Sequence, residues 1–221
     1  MKVVLIRHGE SEANFENYWT GWLDVALTEK GREQAWQAGK KIEEMGILFD
    51  TAFASCLQRT IITCNTVLEA SHQLWVPTYK TWRLNERHYG QLVGVNKDEM
   101  VIRYGKEQVQ KWRRGYNELP LYVDENHFDR RYDALDPNLI PKGENLAMVV
   151  ERIRPFWSDA VVPLIRSGKN VLITGHGNSL RALVKYLENI PEEEVDQIAI
   201  PNAEPIIYTF DSQAVLQDRL G

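Results

Sequence analysis

The sequence predicts an α/β fold of three layers, α/β/α, in which helices cover both faces of a mainly parallel central sheet. Short apolar runs alternate with longer segments of helical periodicity along the chain, and this alternation is typical of parallel strands joined by helices. The chain has 221 residues, enough for one large domain or two small ones. Because no internal repeat divides it, we predict one domain over residues 1–221 with an insertion at about 90–145.

In the first half of the chain, these patterns mark three strands and two helices. Thr28 is a suitable N-cap for a helix whose small and apolar residues recur up to Met45, and Gly46 is placed to end it. From Leu57, apolar residues recur with the spacing of an amphipathic helix. The predicted strands are residues 2–6, 51–54 and 76–82, and the predicted helices are residues 28–45 and 57–68.

The middle of the chain breaks this pattern. Residues 96–114 carry weak helical signals and many charges, and residues 115–142 are polar and show no periodicity. Such a stretch in a compact protein is more often a functional insertion than a linker. The pattern resumes with a long helix through 149–157, bent near Pro155 or Pro163. Further strands are predicted at 171–174, 197–200 and 206–210, and a further helix at 179–187.

Composition and charge narrow the class of protein. The formal net charge of −5 does not favour nucleic acid or an acidic membrane as a partner, so an anionic ligand needs a local cluster of Arg and Lys. No apolar run approaches the ~18 residues that span a bilayer, and the N-terminal run is too short for a signal peptide. Cys56 and Cys64 stand in no metal-ligand spacing, which predicts two reduced thiols in a cytoplasmic protein.

Two segments of similar format follow two predicted strands. They are Leu5-Ile6-Arg7-His8-Gly9-Glu10-Ser11 and Ile173-Thr174-Gly175-His176-Gly177-Asn178-Ser179. Ligands of open α/β sheets bind beyond the carboxyl ends of the strands, and Gly with free N–H groups near a helix start suits an anion. One His beside Gly is as often an ordinary turn residue, but two at equivalent strand ends favour a shared site. His72 and His127 lack this context and are interpreted as surface or structural residues.

Phosphoryl transfer would use these residue types. A neutral imidazole is a good nucleophile near neutral pH, and the loose transition state needs mainly position and fixed positive charge. Arg7 adjoins His8, and Arg59 lies just past the second predicted strand. A protonated His176 would add another donor, and Arg and His together could replace a metal. Arg59 taken alone would more often be a helix-surface charge.

The two His segments, with four others in order along nearly the whole chain, resemble the cofactor-dependent phosphoglycerate mutases of the histidine phosphatase superfamily. Arg-His-Gly is a weakly specific motif, whereas Leu84-Asn85-Glu86-Arg87-His88-Tyr89-Gly90 is highly specific for the mutases. The other matching segments are residues 15–27, 55–60 and 108–114.

The resemblance implies a role for each matching residue. His8 would be phosphorylated, Glu86 would exchange the proton of the substrate hydroxyl, and His176 would steady the phosphoryl group. The residues implied to hold the phosphoryl group are Arg7, Arg59, Ser11, Asn14 and Asn178. Those implied to hold the rest of the substrate are Thr20, Gly21, Arg87, His88, Tyr89, Lys97, Arg113, Arg114 and Gly177.

The implied reaction interconverts 3-phosphoglycerate and 2-phosphoglycerate, with 2,3-bisphosphoglycerate as priming cofactor and no metal. A histidine phosphatase, a bisphosphoglycerate synthase and a non-catalytic phosphometabolite-binding protein are the alternatives. Without the resemblance, Arg113 and Arg114 would be interpreted as a solvated helix face. Glu86 could form a salt bridge with Arg83 or Arg87. A homo-oligomer, dimer or tetramer, is left open.

Two segments depart from the family pattern. Ala203-Glu204-Pro205 stands where the family often has Gly, an aliphatic residue and Pro, which would place an extra carboxylate near the active end of the sheet. Gly143-Glu144-Asn145 stands where the family often has hydroxyl residues around Glu.

Overall fold

A computed structural model describes residues 1–124 and 129–221, and its centre is a six-stranded sheet. The strands are β1 (Lys2–Arg7), β2 (Thr51–Ala54), β3 (Thr78–Lys80), β4 (Val171–Gly175), β5 (Pro205–Phe210) and β6 (Leu216–Leu220). They lie in the order β3-β2-β4-β1-β5-β6. Strands β1 to β4 pair in parallel, and β5 and β6 complete the sheet in antiparallel pairs. The mainly parallel sheet predicted from the sequence is confirmed.

Helices cover both faces of this sheet. They are α1 (Glu12–Phe15), α2 (Glu29–Glu44), α3 (Gln58–Ala70), α4 (Lys97–Tyr104), α5 (Lys106–Arg114), α6 (Leu146–Phe156), α7 (Val162–Arg166) and α8 (Gly177–Glu188). Val4 and Ile6 of β1 pack with α2 and α3, whereas Val3 and Leu5 pack with α6 and α8. Successive strand residues point to opposite faces, so β1 is buried on both sides and the three-layer architecture is confirmed.

Several local predictions differ from the structure. The predicted strand at 197–200 is wrong, because a 3-10 helix (Glu192–Gln197) precedes irregular backbone there. Strand β6 and the short helix α1 were not predicted. Between Pro155 and Pro163, a π-helical segment (Trp157–Val161) interrupts the long helix, and the bend expected near these prolines stays a prediction.

The predicted insertion contains α4, α5 and short 3-10 turns at Gly90–Leu92, Arg130–Tyr132 and Pro137–Leu139. Met100, Val109 and Trp112 form a third apolar cluster with Trp19 and Tyr89. The division into one domain with an insertion stays a prediction, and His127 lies outside the described residues. None of the helices in residues 1–124 and 129–221 is long and apolar enough to cross a membrane.

Candidate active site

His8, Ser55 and His176 stand just past the carboxyl ends of three adjacent parallel strands. In the register of the sheet, Arg7 of β1 lies beside Gly175 of β4, and Ala54 of β2 lies beside Thr174 of β4. The residues that follow these three strands are therefore neighbours. The ring centroids of His8 and His176 are 5.0 Å apart in an edge-on arrangement. The structure therefore brings together the two histidines that the sequence placed at separate strand ends.

His8 is held by its own turn. Its Nδ1 lies 2.7 Å from the carbonyl oxygen of Gly9. A carbonyl only accepts, so Nδ1 carries the hydrogen and the neutral ring has its lone pair on Nε2. Burial, with the nearby charges of Arg59 and Arg7, lowers the pKa of His8 well below its usual 6.5. His8 is thus a neutral imidazole with an unprotonated Nε2 at physiological pH, the form that a nucleophile requires.

His176 is held by a neighbouring strand end. Its Nε2 lies 2.8 Å from Ser55 Oγ, which is 2.6 Å from Thr60 Oγ1. Thr60 donates to the carbonyl of Leu57, so the chain of donors runs from His176 through Ser55 to Thr60. Burial and the charge of Arg59 lower the pKa of His176 well below 6.5. His176 is therefore neutral rather than the protonated donor expected from the sequence, and because its Nε2 donates to Ser55, its Nδ1 is the unprotonated ring nitrogen.

Arg7 and Arg59 present buried donors beside the histidines. Arg7 Nη1 donates to Ile200 O at 2.8 Å, and Arg59 donates to the carbonyls of Leu23 and Gly21 at 2.7 and 3.0 Å. The Nε atoms of both residues are buried and, among the described residues, have no hydrogen-bond partner. An unpaired buried donor costs free energy that an anion can offset. Both arginines therefore fit a bound phosphoryl group.

Glu86 is 8% exposed and is oriented by backbone N–H groups. Its Oε1 accepts from the backbone N–H groups of Arg87 and Asn178 at 2.8 and 3.1 Å. Its Oε2 lies 3.8 Å from the point where a Cβ on Gly177 would stand. The salt bridge to Arg83 or Arg87 considered from the sequence does not form in the described part of the chain, because both guanidinium groups bind backbone carbonyls.

A buried ion pair fixes the segment that carries Glu86. Arg152 Nε lies 2.6 Å from Glu144 Oε1, and both side chains are less than a tenth exposed. Arg152 also donates to the carbonyls of Asn85 and Glu86, while Glu144 Oε2 accepts from the backbone of His88. These charges are compensated by hydrogen bonds on both partners, the condition under which a buried pair is tolerated. Glu144, whose neighbours Gly143 and Asn145 depart from the family pattern, thus fixes the backbone of the loop that carries Glu86.

A cavity of about 140 Å³ opens next to these groups. The predicted site residues that line it are Arg7, Asn14, Thr20, Glu86, Tyr89, Lys97, Arg113, Arg114, Gly177 and Asn178, and the others are Tyr18, Trp19 and Arg181. Five side chains of this described lining are cationic, and Glu86 is its one carboxylate. Burial and the charges of Arg113 and Arg7 lower the pKa of Lys97 to about 8. The cavity is the local cationic cluster that the acidic composition requires for an anionic ligand.

The other predicted site residues are not part of the described lining of the cavity: His8, Ser11, Gly21, Arg59, Arg87, His88 and His176. Ser11 caps helix α1 reciprocally with Asn14, which does line the cavity. Gly21 is held by Arg59, and His88 Nδ1 accepts from the backbone of Gly90. Arg87 corrects the sequence expectation most clearly, because its guanidinium binds the carbonyls of Glu144, Gly115 and Glu118 rather than the cavity. Arg87 is fully buried, and its hydrogen bonds to these three carbonyls stabilise the backbone of the insertion.

Four residues of this arrangement were not predicted individually: Ser55, Glu144, Arg152 and Arg181. Arg181 lies one helical turn after Asn178 on α8, so helical spacing alone could have indicated it. The contacts of Ser55 with His176 and of Arg152 with the backbone of Asn85 and Glu86 join residues distant in sequence, and no local pattern marks them. Trp22 also supports the loop, since its Nε1 donates to the carbonyl of Glu86 at 2.7 Å.

The Ala203-Glu204-Pro205 departure does not add a carboxylate to the cavity. Glu204 is largely exposed and forms a salt bridge with Lys41 of α2 at 2.7 Å. Ala203 is buried with φ of 53°, a left-handed conformation that favours glycine. Within residues 1–124 and 129–221, no group of three or more His, Cys, Asp or Glu is arranged to hold a metal ion.

Comparison with known proteins identifies the class. A model of the histidine phosphatase superfamily (branch 1) matches residues 3–220. A 2,3-bisphosphoglycerate-dependent phosphoglycerate mutase of Lactobacillus acidophilus is 53% identical over 95% of this chain and 94% of its own. The corresponding mutase 2 of Lactiplantibacillus plantarum is 52% identical over 100% of this chain and 99% of its own. The chain therefore belongs to the histidine phosphatase superfamily and, within it, to the 2,3-bisphosphoglycerate-dependent phosphoglycerate mutase family.

Solved structures share the fold at lower sequence identity. Bacillus stearothermophilus YhfR has a TM-score of 0.75 at 23% identity and covers 98% of this chain and 94% of its own. A mycobacterial glucosyl-3-phosphoglycerate phosphatase in complex with VO3 has a TM-score of 0.72 at 22% identity, with 94% of this chain and 92% of its own covered. At these identities the likeness supports the fold alone.

Proposed function

We propose that this protein interconverts 3-phosphoglycerate and 2-phosphoglycerate through a phosphohistidine at Nε2 of His8. The observation that carries the proposal is the combination of His8, whose Nδ1 bond to Gly9 O leaves Nε2 unprotonated, with the adjacent cavity, whose described lining has five cations and one carboxylate. Its mutase relatives are more than half identical over nearly the whole chain. The substrate carries a carboxylate and a phosphate, so two anionic ends need binding at once.

The side chains divide the chemistry between them. Phosphorylated His8 gives its phosphoryl group to the free hydroxyl of the substrate, the P–N bond breaks, and Glu86 accepts the hydroxyl proton. Transfer of the other phosphoryl group back to Nε2 restores the phosphohistidine, and Glu86 returns the proton to the oxygen thus freed. Arg7 and Arg59 balance the charge on the phosphoryl oxygens during both transfers. The charge of the bound phosphoryl group favours a proton on the otherwise free Nδ1 of His176, which then adds a third donor.

Priming depends on a phosphoryl donor. When bound, 2,3-bisphosphoglycerate supplies the phosphoryl group that first charges His8. The unpaired donors at Nε of Arg7 and Arg59 and the cationic cavity fit such a doubly phosphorylated anion. No step in this scheme assigns a role to a metal.

The cations available to bind a second anionic group of the substrate favour mutase over phosphatase activity. Both reactions share phosphorylation of His8, but a mutase must hold a second anionic end while excluding water. Lys97, Arg113 and Arg114 lie on the insertion side of the cavity and supply that second hold. A phosphatase would release the dephosphorylated product without needing these three cations.

The test is His8→Ala with His72→Ala as the matched control, since the His72 side chain is exposed and pairs with Glu43, outside the cavity lining. Each protein is incubated with 2,3-bisphosphoglycerate, and intact mass and acid lability of the added phosphoryl group are measured beside turnover of 3-phosphoglycerate. We expect His72→Ala to keep both, and His8→Ala to lose the phosphoenzyme and at least about 10⁴-fold in turnover. Turnover retained by His8→Ala would contradict the proposal.

A further inference from the structure

Among the described cations of the cavity lining, Arg181 is the one to which the sequence assigned no role. It lies on α8, is 6% exposed, and donates from Nε to the carbonyl of Ile198 at 3.1 Å. Its Nη1 donates to Asn178 Oδ1 at 2.5 Å. A guanidinium has donors and no acceptor. Arg181 therefore determines which way the Asn178 amide faces, with its oxygen toward α8.

The orientation of that amide decides what Tyr89 can do. With Oδ1 bound to Arg181, Asn178 Nδ2 faces the Tyr89 hydroxyl at 2.5 Å. An amide nitrogen only donates, so the phenol oxygen accepts and its own hydrogen stays available. Burial, together with the charge of Glu86, raises the pKa of Tyr89 to about 12. Tyr89 keeps its proton at neutral pH and lies in the wall of the cavity.

We propose that Arg181 is a positioning residue that directs a chain of hydrogen bonds, Arg181 to Asn178 to Tyr89, toward the cavity. Tyr89 thereby donates its hydroxyl hydrogen to an oxygen of the bound anion. If the amide were reversed, Tyr89 would donate to Asn178 Oδ1 and present only lone pairs to the anion. The identity of the anion as a phosphoglycerate rests on the proposed function, but the direction of the chain does not.

Two further contacts fit this role. The backbone N–H of Asn178 donates to Glu86 Oε1, so the residue that orients Tyr89 also orients the carboxylate. The Nε bond of Arg181 to Ile198 O fixes the plane of the guanidinium, which a lysine could not reproduce. The competing explanation is that Arg181 only adds positive charge to the cavity. The two explanations differ in whether the effect of Arg181 passes through the Tyr89 hydroxyl.

A double-mutant cycle separates them. Arg181→Met, Tyr89→Phe and the double variant are compared with the wild type for the Kd of 3-phosphoglycerate and of inorganic phosphate, and for KM and kcat. We expect each single variant to weaken 3-phosphoglycerate binding about 10- to 100-fold. The double variant should lose no more than about twofold beyond Tyr89→Phe, since contacting residues in one network are not additive. Arg181→Lys tests charge alone and should recover only part of the affinity.

Independent, multiplicative losses in the double variant would overturn the proposal, as would full affinity in Arg181→Lys. If Arg181→Met does not fold, Asn178→Asp serves instead. Its carboxylate only accepts, so it takes the Tyr89 hydrogen, and Tyr89→Phe in that background should change affinity less than about twofold. A wild-type protein that binds phosphate but does not isomerise 3-phosphoglycerate would contradict the proposed function and leave this inference intact.

Discussion

The turns after β1 and β4 share the sequence His-Gly, but the structure holds them in different ways. His8 is fixed within its own turn by the carbonyl of Gly9, whereas His176 is fixed by Ser55 at the end of β2. A Cβ on Gly9 would stand 2.0 Å from the carbonyl oxygen of Gly31 in α2, so this glycine is required by packing. A Cβ on Gly177 would stand 3.6 Å from the Arg7 guanidinium, in the cavity.

The difference shows how one motif serves two purposes. The first turn packs tightly against α2 at Gly9, and its hydrogen bond at Nδ1 leaves Nε2 of the imidazole unprotonated. The second turn opens on the cationic cavity, and its imidazole is positioned by the hydroxyl of Ser55, which follows another strand. We therefore expect changes in the first turn to affect phosphorylation or stability, and changes in the second to affect transfer and binding.

The largest expected effect that tests this difference is that of His176→Ala. His176 does not carry the phosphoryl group in our proposal, so the variant should still form the phosphoenzyme while kcat falls about 10²–10³-fold, the usual cost of losing one transition-state donor. Intact mass after incubation with 2,3-bisphosphoglycerate and steady-state turnover measure the two quantities. Ser55→Ala, which releases Nε2 without removing the ring, should lose less. Absence of the phosphoenzyme in His176→Ala would make the two histidines equivalent.

The two glycines should separate stability from activity. Gly9→Ala forces its methyl group against backbone that cannot move, and we expect the free energy of unfolding to fall by about 3 kcal/mol or more. Gly177→Ala meets only ordinary contact distances, but its methyl group enters the cavity between Arg7 and Glu86. We expect kcat/KM to fall about tenfold or more, since small misplacements in a site are costly.

Urea denaturation and steady-state kinetics on both variants test this pair. An unchanged denaturation midpoint in Gly177→Ala is part of the expectation. The comparison between the turns fails if Gly9→Ala is as stable as the wild type, or if Gly177→Ala loses stability and keeps its activity.

The sequence was sufficient to locate both turns because local signals mark them. Apolar runs predict β1 and β4, and the polar Gly-containing segments that follow them define their ends. The predicted strand at 197–200 failed because its carbonyls serve side chains instead of a neighbouring strand: Ile198 O binds Arg181 and Ile200 O binds Arg7. Strand β6 was missed because it is a mostly exposed edge strand without apolar alternation.

The contacts that position the site residues could not be predicted from local sequence. The bond from Ser55 to His176 joins residues 121 positions apart. The contacts of Arg152 with the backbone of Arg83, Asn85 and Glu86 span 66 to 69 positions. Such contacts depend on how α6 and the Glu86 loop pack, which no periodicity encodes. The resemblance to a known family supplied the residues of the cavity, but it did not indicate that Arg87 turns away from it.

His8 and His176 should both lower the free energy of unfolding as the pH falls below about 6.5. Each is neutral and buried, with a pKa well below 6.5 in the folded protein. Below about pH 6.5 the unfolded chain binds a proton that the folded protein does not, so each histidine lowers the free energy of unfolding by up to about 1.4 kcal/mol per pH unit. This contribution begins as pH falls through 6.5 and ends at the folded pKa.

Urea denaturation between pH 7.5 and 5.5, on the order of one unit either side of the unfolded pKa, measures that slope. His8→Gln and His176→Gln should each reduce it, and the exposed His72→Gln is the control. A slope that only one variant reduces would mean that the two turns differ in burial as well as in bonding. A slope that neither variant reduces would contradict the neutral state assigned to both rings.

The smallest expected effect concerns the backbone behind the first turn, where Ala203 donates from its N–H to the carbonyl of Arg7. Ala203 and Ala214 both have positive φ, 53° and 63°. Glycine relieves about 1 kcal/mol of strain at such a position, but at the buried Ala203 it also removes a methyl group worth about 0.8 kcal/mol. The free energy of unfolding, measured by urea denaturation, should therefore rise by nearly 1 kcal/mol in Ala214→Gly and stay almost unchanged in Ala203→Gly.

The rate of His8 phosphorylation should be the same in both variants, because packing holds the first turn. A slower rate in Ala203→Gly would mean that this strained residue helps to position the imidazole.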